Sequence, residues 1–588
     1  MKILLLDRVK NPEELIGYDV EFFGPWAENI SSPSDLSEPR VTYKNSNDVS
    51  RTLKESINLS EEILSKLTEI LPSLVQTENV DRSFWRLLLG NYVVKMSGII
   101  KDIEKRYISL PEKDYIIVKS REEFSYDIPA SFSEFQSLVS DSMFRIYMSE
   151  LFLTEKFNDT LYLDYLAAKD GEPYPSRYSI RSKDIMLFRK IRKYFNKHNP
   201  LINRTNAKAI VWDNLNFFAD INPKYYLPGD FIFESNNIDK TPKVDPIIRQ
   251  TIENELGGFI GKIFALTFPI GLLEGLRNNI ESIDLKKLDS YPNLQRIYTH
   301  GRIMVDNDKK RILASLLYSR GFEVFSIQHG GTMNYLSHPS FYTEGEIPTS
   351  LISWGSSVGD NLHNEAITRK TPKIIPSLYL KSVKDNVRDS KKKWRVIIIT
   401  LNEDRQLKWI YSPIFPDMAY DYFKRQKTLF ESFSEVENVL VKLYPYEYGW
   451  YQLDWLINDY PKLNLDTKRK NLTNLIDKAE LVIMDYHATA FLETLVINKP
   501  LLCTWNREWF KGSDMFEKDI DQLENIGIFH ENPRSLIEEY QNISNNIQEW
   551  WREEKRIKVM AKVKNNLLSN IDNAVDAWEN ELTRNSSN

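Results

Sequence analysis

The 588-residue chain has a single cysteine, Cys503, so no disulfide can form within it. Such cysteine usage is typical of a reducing compartment, and we expect a cytoplasmic protein. Cys503 belongs to the apolar run 500–503, which predicts a buried core residue in place of a nucleophile. The first residues, 1–7, reach a charged side chain too early to predict a signal peptide.

Long apolar runs are also absent. The most apolar segment, 259–273, contains Lys262 and is shorter than the roughly 18 residues of a membrane-spanning helix, so it predicts a buried helix. The net charge of −6 argues against a dedicated nucleic-acid binder, which needs a basic surface. Basic runs such as 189–193 and 391–393 are interpreted as solvated helix faces or linkers. Peripheral contact with the anionic inner membrane is the alternative.

The short motifs of several enzyme classes are missing as well. There is no Cys-x-x-Cys or His-Glu-x-x-His motif and the histidines lack the spacing of metal ligands, so we expect no metal site. No Gly-x-Gly-x-x-Gly follows the first strand, and neither a Walker A motif nor a Gly-x-Ser-x-Gly elbow occurs. These absences argue against a classical NAD enzyme, a P-loop nucleotidase and an α/β-hydrolase. We also expect no permanently bound cofactor.

Short apolar runs alternate with amphipathic helices, a pattern that predicts parallel sheets and an α/β fold. Strands are predicted at 2–7, 116–118, 209–212, 295–299, 322–327, 351–354, 395–400, 439–443, 463–465, 481–484 and 500–504. Helices are predicted at 50–108, 131–152, 184–196, 255–282, 306–320, 417–434, 449–458, 471–478 and 488–497, and in the tail 533–585.

The order of these elements predicts three parts. Residues 1–380 are predicted to form an acceptor-side Rossmann-like domain with a helical insertion at about 50–200. The charged stretch 380–393 is predicted to be a linker, and a nucleotide-binding Rossmann-like domain covers 381–532. Residues 533–588 are predicted to form a helical tail that packs back across the lobes.

Open parallel sheets bind ligands beyond the carboxyl ends of their strands, so the loops after strands hold the candidate residues. The loop after strand 322–327 contains Gln328, His329, Gly330 and Gly331. Its glycines let the backbone approach a ligand closely, and His329 acts near neutral pH as acid, base or donor. A hydrogen-bonded loop histidine without function is the alternative.

Two later loops carry a second group of candidates. Strand 439–443 leads into a loop with Lys442, Tyr444, Pro445 and Glu447. Its tyrosine hydroxyls suit phosphate oxygens and Glu447 suits sugar hydroxyls, although an ordinary aromatic turn fits equally well. Helix 488–497 begins at His487, Ala488 and Thr489, and Glu493 follows one turn later as a candidate to accept the ribose hydroxyls. A helix N-terminus attracts phosphate, whereas a capped packing helix is the alternative.

A fourth loop contains Arg302, Asp306 and Asp308. Arg302 is a candidate to pair with a phosphate or carboxylate of the substrate. Asp306 and Asp308 are interpreted first as caps of the following helix. Asp306 is also retained as a catalytic candidate, beside Arg302 and His329.

The loop Gln328–Gly331, the run Lys442–Pro445 and the segment 488–500 together resemble the GT-B glycosyltransferases of bacterial surface-polysaccharide assembly. The similar families are the capsule and lipopolysaccharide Kdo transferases, the bacterial sialyltransferases and the CDP-glycerol glycerophosphotransferases. A group of uncharacterised bacterial surface-glycan transferases is more similar still, and it shares the pieces Phe84–Gly90 and Tyr444–Trp450.

The resemblance implies two Rossmann-like domains around a central cleft, with the nucleotide in the C-terminal lobe and the acceptor glycan at the N-terminal lobe. It implies that Lys442 and the start of the Thr489 helix grip the donor phosphate, while Tyr444 replaces the histidine of the families. The families' Ser-Ser pair at the helix start is reduced here to His487, Ala488 and Thr489. His329 is then expected across the cleft, near the reacting carbon.

We therefore expect a glycosyltransferase whose partners are a nucleotide sugar and a glycan or lipid-linked acceptor. A CMP-linked nonulosonic or ulosonic acid is the favoured donor. Three alternatives stay open: a CDP-polyol phosphotransferase, a sugar-nucleotide epimerase and a non-catalytic nucleotide- or carbohydrate-binding protein.

Overall fold

Three parallel sheets dominate the computed structural model of the chain. We call the parts built on them the first lobe (2–166), the second lobe (207–375) and the third lobe (394–503). The structure describes residues 2–38, 42–75, 80–111, 114–122, 124, 126–129, 131–166, 172–173, 207–212, 217–228, 246–269, 271, 273, 288, 290–300, 308–334, 341–357, 371–388, 390–407, 415–468 and 472–584.

The first lobe is a four-stranded parallel sheet with four helices. Its elements are β1 (Lys2–Leu5), β2 (Asp19–Phe22), α1 (Ser46–Val75), α2 (Arg82–Ile108), β3 (Ile116–Ser120), α3 (Phe132–Ser140), α4 (Ser142–Thr154) and β4 (Thr160–Leu163). The strand order is β2-β1-β3-β4, and a short strand β5 (Glu172–Pro173) follows. The apolar side chains of β1 share a core with α1 and α2, because helices must cover the faces of a parallel sheet.

The second lobe is a six-stranded parallel sheet. Its elements are β6 (Ala209–Trp212), β7 (Tyr226–Pro228), α5 (Pro246–Leu256), α6 (Gly258–Thr267), β8 (Arg296–His300), α7 (Asp308–Ser319), β9 (Glu323–Ile327), β10 (Ser350–Ser353) and β11 (Lys373–Ile374). The strand order is β11-β10-β9-β8-β6-β7. Gly321 follows α7 with a φ of 87°, which confirms its predicted place at the helix end.

Helix α8 (Leu378–Asp385) leads into the third lobe, a five-stranded parallel sheet of order β15-β13-β12-β16-β17. Its elements are β12 (Trp394–Ile399), α9 (Ala419–Phe433), β13 (Val439–Lys442), β14 (Tyr446–Glu447), α10 (Gln452–Asp459), β15 (Asn464–Asp466), α11 (Leu472–Asp477), β16 (Ala479–Met484), α12 (Thr489–Ile497) and β17 (Leu501–Cys503). The helices that follow are α13 (Asp514–Asn525), α14 (Pro533–Ile543), α15 (Ile547–Trp551), α16 (Glu554–Leu568) and α17 (Ala574–Thr583).

The predicted α/β class with parallel sheets is confirmed, and each predicted strand is present. The range 1–380, which was predicted as a single N-terminal domain, holds two separate parallel sheets. Strand β1 pairs with β2 and β3 of its own lobe, and the predicted insertion supplies helices α1 to α4 and the strands between them. An apolar sequence pattern predicts a strand but does not predict the strand with which it pairs. The predicted helix 184–196 lies outside the described residues.

The C-terminal tail ends on the second lobe. Trp578 of α17 donates its indole N–H to the carbonyl of Pro376 at 3.1 Å, and Lys208 donates to the carbonyl of Thr583 at 2.8 Å. The apolar side chains of Ala574 and Leu582 join the core of the six-stranded sheet. The chain therefore crosses from the second lobe to the third at α8 and returns at α17.

The predicted linker 380–393 is partly helical. Leu378, Leu380 and Val383 of α8 are buried, and the helix packs against α12 of the third lobe. The apolar side chains of α8 therefore pack this connecting segment against the lobes. The charged residues, which led to the prediction of a linker, occupy the remaining positions. Among the described residues, no helix has both the length and the apolar character needed to cross a bilayer.

Candidate functional site

The loop that follows β9 is braced by Gln328. Its amide group donates to the carbonyl of Gly330 at 2.8 Å, and its carbonyl oxygen accepts from the amide of Trp354 at 2.8 Å. Gln328 is 1% exposed, so its polar atoms are satisfied within the protein. Gln328, which was predicted to contact the nucleotide donor, therefore stabilises the loop around the half-buried His329.

Gly331 brings the second lobe into contact with helix α12. Its amide donates to the Thr489 hydroxyl at 3.1 Å. A Cβ atom at Gly331 would lie 2.6 Å from the carbonyl carbon of Ala488 and 2.9 Å from the Thr489 nitrogen. Since real Cβ contacts are longer than this, the approach of the two backbones requires glycine. The sequence predicted both elements as site components, and the structure brings them together.

Helix α12 begins without a side-chain cap. Ala488 precedes it in an extended conformation, and the amide of Phe491 donates to the Ala488 carbonyl at 3.0 Å. The helix ends at Asn498, whose φ of 59° is left-handed. The unpaired amides of a first helical turn carry partial positive charge, so this N-terminus suits an anionic group.

A cavity of about 270 Å³ lies at this junction. It is lined by the loops after β9 and β10, the start of α8, the start of α12 and the helix α17. The lining residues are Phe218, Ile327, Gln328, His329, Trp354, Ser377, Leu378, Tyr379, Thr489 and Trp578. His329 and Thr489 therefore face one space from two lobes, at a strand edge where α/β proteins bind ligands.

Glu493 lies just behind the wall of this cavity. It follows Thr489 by four residues and therefore shares its helix face. Its carboxylate accepts a hydrogen bond from the hydroxyl of Tyr379, which lines the cavity. Burial raises the pKa of Glu493 to about 7, although the hydroxyls of Tyr379 and Thr473 oppose the shift. The predicted ribose contact is thus close to the cavity but is already bound to the interlobe helix α8.

Lys442 is occupied inside the third lobe. Its ammonium group donates to the carbonyls of Leu443 at 3.0 Å and Lys468 at 2.7 Å, and it pairs with Asp466 at 3.4 Å. Burial lowers the pKa of Lys442, and the Asp466 carboxylate opposes this shift. This lysine joins β13 to β15 and does not line the cavity, and its predicted phosphate contact stays a prediction.

Glu447 holds its own loop. One carboxylate oxygen accepts from the backbone amides of Tyr448, Trp450 and Tyr451 at 2.9–3.0 Å. Burial raises the pKa of Glu447, while these amides oppose the shift. This oxygen of Glu447 stabilises the loop, and the predicted contact of Glu447 with sugar hydroxyls stays a prediction.

Tyr444 belongs to a group of three half-buried tyrosines with Tyr446 and Tyr448. Their ring centroids are 6.0–6.3 Å apart. Burial raises the pKa of Tyr448, and the neighbouring Tyr444, Glu403 and Asp404 add to the shift. This electronegative setting disfavours the predicted contact between Tyr444 and a phosphate. Pro445, the adjacent candidate, is also absent from the cavity lining.

His487 is a core residue of the third lobe. It is fully buried and packs against Phe491, Trp505 and Phe516, with ring centroids 4.5–6.1 Å apart. Burial lowers its pKa to about 3, so the imidazole is neutral at physiological pH. His487 is not among the residues that line the cavity, and its predicted role at the donor stays a prediction.

Two predicted residues, Arg302 and Asp306, lie outside the described residues. Sequence reasoning missed Tyr379 and Trp578, which line the cavity. Tyr379 follows β11, a two-residue strand that was not predicted, and Trp578 lies in the helical tail, so a search after the predicted strands passes over them. In the portion of the chain that the structure describes, no three His, Cys, Asp or Glu side chains are grouped as metal ligands.

Several solved structures are similar to this chain at low scores. A crystal structure of TarM is 9% identical, with 49% of this chain and 55% of TarM covered and a TM-score of 0.33. Anabaena HepE in complex with UDP-glucose is 11% identical, with 53% and 83% covered and a TM-score of 0.33. The wall teichoic acid polymerase TagF is 12% identical, with 52% and 84% covered and a TM-score of 0.27. The match thus spans little more than half of the length of TarM. A comparison with curated proteins gave no match.

The family comparison extends over nearly the whole chain. The model of the LIC12162 family transferases matches residues 3–582, a range that contains all three lobes, the cavity and α17. Because the match covers far more than half of the sequence, the chain belongs to the LIC12162 family transferases.

Proposed function

We propose that this transferase moves a sugar from a nucleotide-activated donor to a cell-surface glycan or a lipid-linked acceptor. One observation carries the proposal: His329 and the N-terminus of α12 line the same cavity between two parallel sheets. Glycosyl transfer needs a seat for the leaving phosphate and a polar group near the reacting carbon. Both line this cavity.

The start of α12 is the proposed binding site of the donor phosphate. The negative charge of the leaving group grows during transfer, and preorganised helix amides stabilise such charge. The Thr489 hydroxyl accepts from Gly331 and therefore keeps its own hydrogen for a phosphate oxygen. Ala488 and Gly331 shape this end of the cavity by their close backbone contact.

His329, from the second lobe, is the proposed general base or the contact to the donor sugar. A base beside the acceptor hydroxyl removes its proton as the glycosidic bond forms. Closure of the second lobe on the third would exclude water, so that transfer outcompetes hydrolysis. Arg302 and Asp306 stay predictions for the same loop edge, with Arg302 as the partner of a donor carboxylate or phosphate.

A CMP-linked nonulosonic or ulosonic acid is the donor that we favour. The support is the resemblance of the His329 loop and of the segment 488–500 to the Kdo transferases and sialyltransferases. The single buried cysteine supports a cytoplasmic location, where nucleotide sugars are consumed. Peripheral contact with the inner membrane would serve a lipid-linked acceptor.

Thermal-shift titration of the full chain with CMP, CDP, UDP, GDP and dTDP tests the donor. We expect CMP to raise the melting temperature most, because a ligand that binds the folded state stabilises it. A response to CDP alone would favour polyol-phosphate transfer. Conversion of a nucleotide sugar without any acceptor would favour an epimerase. If none of the five nucleotides shifts the melting temperature, the proposed donor site is rejected.

A matched pair of histidine variants tests the proposed catalytic role of His329. His329→Ala should lower the rate of nucleotide release from the donor about 100- to 10,000-fold, the usual contribution of a general base. His530→Ala is the control, since His530 is also half-buried but contacts the Gly527 carbonyl, away from the cavity. Equal rates in the two variants would contradict the role of His329.

A further inference from the structure

The residues assigned to the donor phosphate and to the reacting carbon restrict where the donor sugar lies. Thr489 and His329 line one cavity of about 270 Å³. A sugar that is joined to that phosphate through that carbon therefore occupies the rest of the same cavity. Its substituents contact the other lining residues, whose chemistry decides which sugars are accepted.

Most of these other residues are aromatic or aliphatic, and we call them the apolar wall. The apolar wall consists of Phe218, Ile327, Trp354, Leu378 and Trp578. Each of the five is only 1–7% exposed, because other parts of the protein pack against it. The rings of Phe218 and Trp578 meet edge to face, with centroids 5.1 Å apart. The apolar wall is therefore preformed, since its side chains are held by the core.

Three polar groups of the lining are already hydrogen-bonded within the protein. Gln328 uses both ends of its side-chain amide, and the Ser377 hydroxyl accepts from the Leu380 amide at 3.2 Å. The indole N–H of Trp578 donates to the Pro376 carbonyl at 3.1 Å. A sugar hydroxyl that leaves water for the apolar wall therefore loses hydrogen bonds without replacement, whereas a methyl group gains from burial there.

We propose that the apolar wall selects donor sugars in which a methyl-terminated substituent, either an acyl group or a deoxy methyl, replaces a hydroxyl. The proposal rests on the proposed function, because it assumes a nucleotide-linked sugar in the cavity. It also chooses between the two favoured types of donor. An acylated nonulosonic acid carries such a methyl group, whereas the ulosonic acid Kdo carries hydroxyl groups and no methyl group.

The experiment compares nucleotide sugars that differ in one substituent. Dissociation constants are measured, with the full chain and no acceptor, for CMP-N-acetylneuraminic acid and for the CMP-linked acid in which a hydroxyl replaces its acetamido group. UDP-glucose is compared with UDP-N-acetylglucosamine and with UDP-6-deoxyglucose, which separates the acyl from the deoxy source. We expect a methyl-bearing sugar to bind at least ~10-fold more tightly than its hydroxylated partner, as is usual for a hydrophobic pocket.

Leu378→Asn places an amide in the apolar wall while nearly keeping the shape of the side chain. The preference should fall to about threefold or less, because the methyl group then faces a polar group. Leu582→Asn is the matched control. Leu582 is buried in the same core as Leu378 but is not among the residues that line the cavity. This variant should keep the wild-type preference, even if its melting temperature falls further.

The outcomes separate the two proposals. If none of the nucleotides binds, the proposed function and this inference both fail. If a nucleotide binds but the methyl-bearing donors bind no more tightly than their hydroxylated partners, the proposed function stands and this inference is rejected. A preference confined to the acyl or to the deoxy donor supports the inference and identifies the substituent.

The variants add a second way to overturn the inference. If Leu378→Asn keeps the full wild-type preference, or if Leu582→Asn loses it equally, the apolar wall does not select the sugar. The wild-type comparison needs no variant, so the inference remains falsifiable even if one of the two variants fails to fold.

Discussion

The first and second lobes both turn the carboxyl edge of a parallel sheet toward the third lobe, but they use it differently. At the second lobe, the edge borders a cavity of about 270 Å³. At the first lobe, the side chain of Gln406 from the third lobe fills the edge and leaves a space of about 30 Å³. The crevice at the strand ends of an α/β sheet can thus accommodate polar groups from a ligand or from the protein itself. A protein segment that fills it contributes stability, and an open crevice remains available to a ligand.

Buried polar groups hold the filled edge. Asp7, just after β1, accepts from the Gln406 side chain, and Arg145 of α4 donates to the Gln406 carbonyl at 2.9 Å. Arg8 donates to the Tyr451 hydroxyl at 3.0 Å. At the open edge, by contrast, the backbone of Gly331 approaches Ala488 and donates to the Thr489 hydroxyl. We therefore expect mutations at the filled edge to change stability and mutations at the open edge to change binding.

Asp7→Ala should have the largest effect. It removes the carboxylate that receives Gln406 and that lies 3.7 Å from the Arg8 guanidinium. Because an uncompensated charge then stays buried, the free energy of unfolding in urea should fall by about 3–5 kcal/mol. The nucleotide affinity of the folded protein should not change.

Lys2→Ala, at the opposite end of β1, is the control for Asp7→Ala. It removes the exposed pair of Lys2 with Asp19, 3.9 Å apart, which should contribute less than ~1 kcal/mol. If Asp7→Ala weakened nucleotide binding while stability stayed constant, the filled edge would belong to the binding site. The contrast between the two edges would then be lost.

Each edge also contains a buried glutamate whose pKa burial raises to about 7, Glu150 in the first lobe and Glu493 in the third. For Glu150, the Ser120 amide and Lys119 oppose the shift, and Tyr165 lies nearby. The folded state favours the protonated form, so stability from this group is present below pH 4.5 and is lost as pH rises through about 7. Glu150→Gln should therefore gain roughly 3 kcal/mol over the wild type by pH 8.

Chemical denaturation between pH 4.5 and 8 measures this gain, with Glu493→Gln as the matched variant. A saturating nucleotide should alter the pH dependence contributed by Glu493 and leave that of Glu150 unchanged. If the nucleotide altered both equally, ligand binding would reach the filled edge too.

Gly331→Ala tests the open edge. The new Cβ would meet the Ala488 carbonyl carbon at 2.6 Å, so the loop and the start of α12 must separate. Misplacement of a site by about 1 Å costs on the order of 100-fold in rate, and we expect a loss of that size in the transfer assay. Gly330→Ala is the control, because its Cβ would meet no backbone atom: the neighbouring atoms are the hydroxyls of Thr489 at 3.1 Å and Thr332 at 3.9 Å. Equal losses would show that the close backbone approach is unimportant.

Thr489→Val should have the smallest effect. It removes the hydroxyl that accepts from Gly331 and that we assign to the donor phosphate, while the volume is kept. We expect about a tenfold rise in the dissociation constant of the nucleotide, the equivalent of one hydrogen bond to a charged group. Thr494→Val loses a hydroxyl that bonds to the Ala490 carbonyl within the same helix, and it should bind the nucleotide as the wild type does.

Much of the fold was predictable because its signals are local. Strand β12 was predicted at 395–400 and is observed at Trp394–Ile399, and helix α12 was predicted at 488–497 and is observed at Thr489–Ile497. Membership of a transferase family confirms the predicted class of enzyme. The separate first sheet was missed, because its strand β2 (Asp19–Phe22) alternates weakly and the pairing of β1 depends on residues more than a hundred positions away.

The candidate site was predictable in part, and the reason is again physical. Gly331 and Thr489 were identified because a glycine after a strand and a helix start have local signatures. Lys442 and Glu447 also follow a strand, as expected of site residues. However, Lys442 donates to backbone carbonyls such as that of Lys468, and Glu447 accepts from backbone amides such as that of Tyr451. Whether a polar side chain faces a ligand depends on which partners the fold supplies.

The amino-acid sequence by itself determined the alternation of buried strands and helices, the close-approach glycine at 331 and the helix start at 489, because these depend on neighbours along the chain. The tertiary structure alone decided that the strands form three large parallel sheets, that one crevice is filled by Gln406, and that Tyr379 contacts Glu493. Those outcomes depend on contacts between residues 114 to 399 positions apart, whose burial and hydrogen bonding no local pattern encodes.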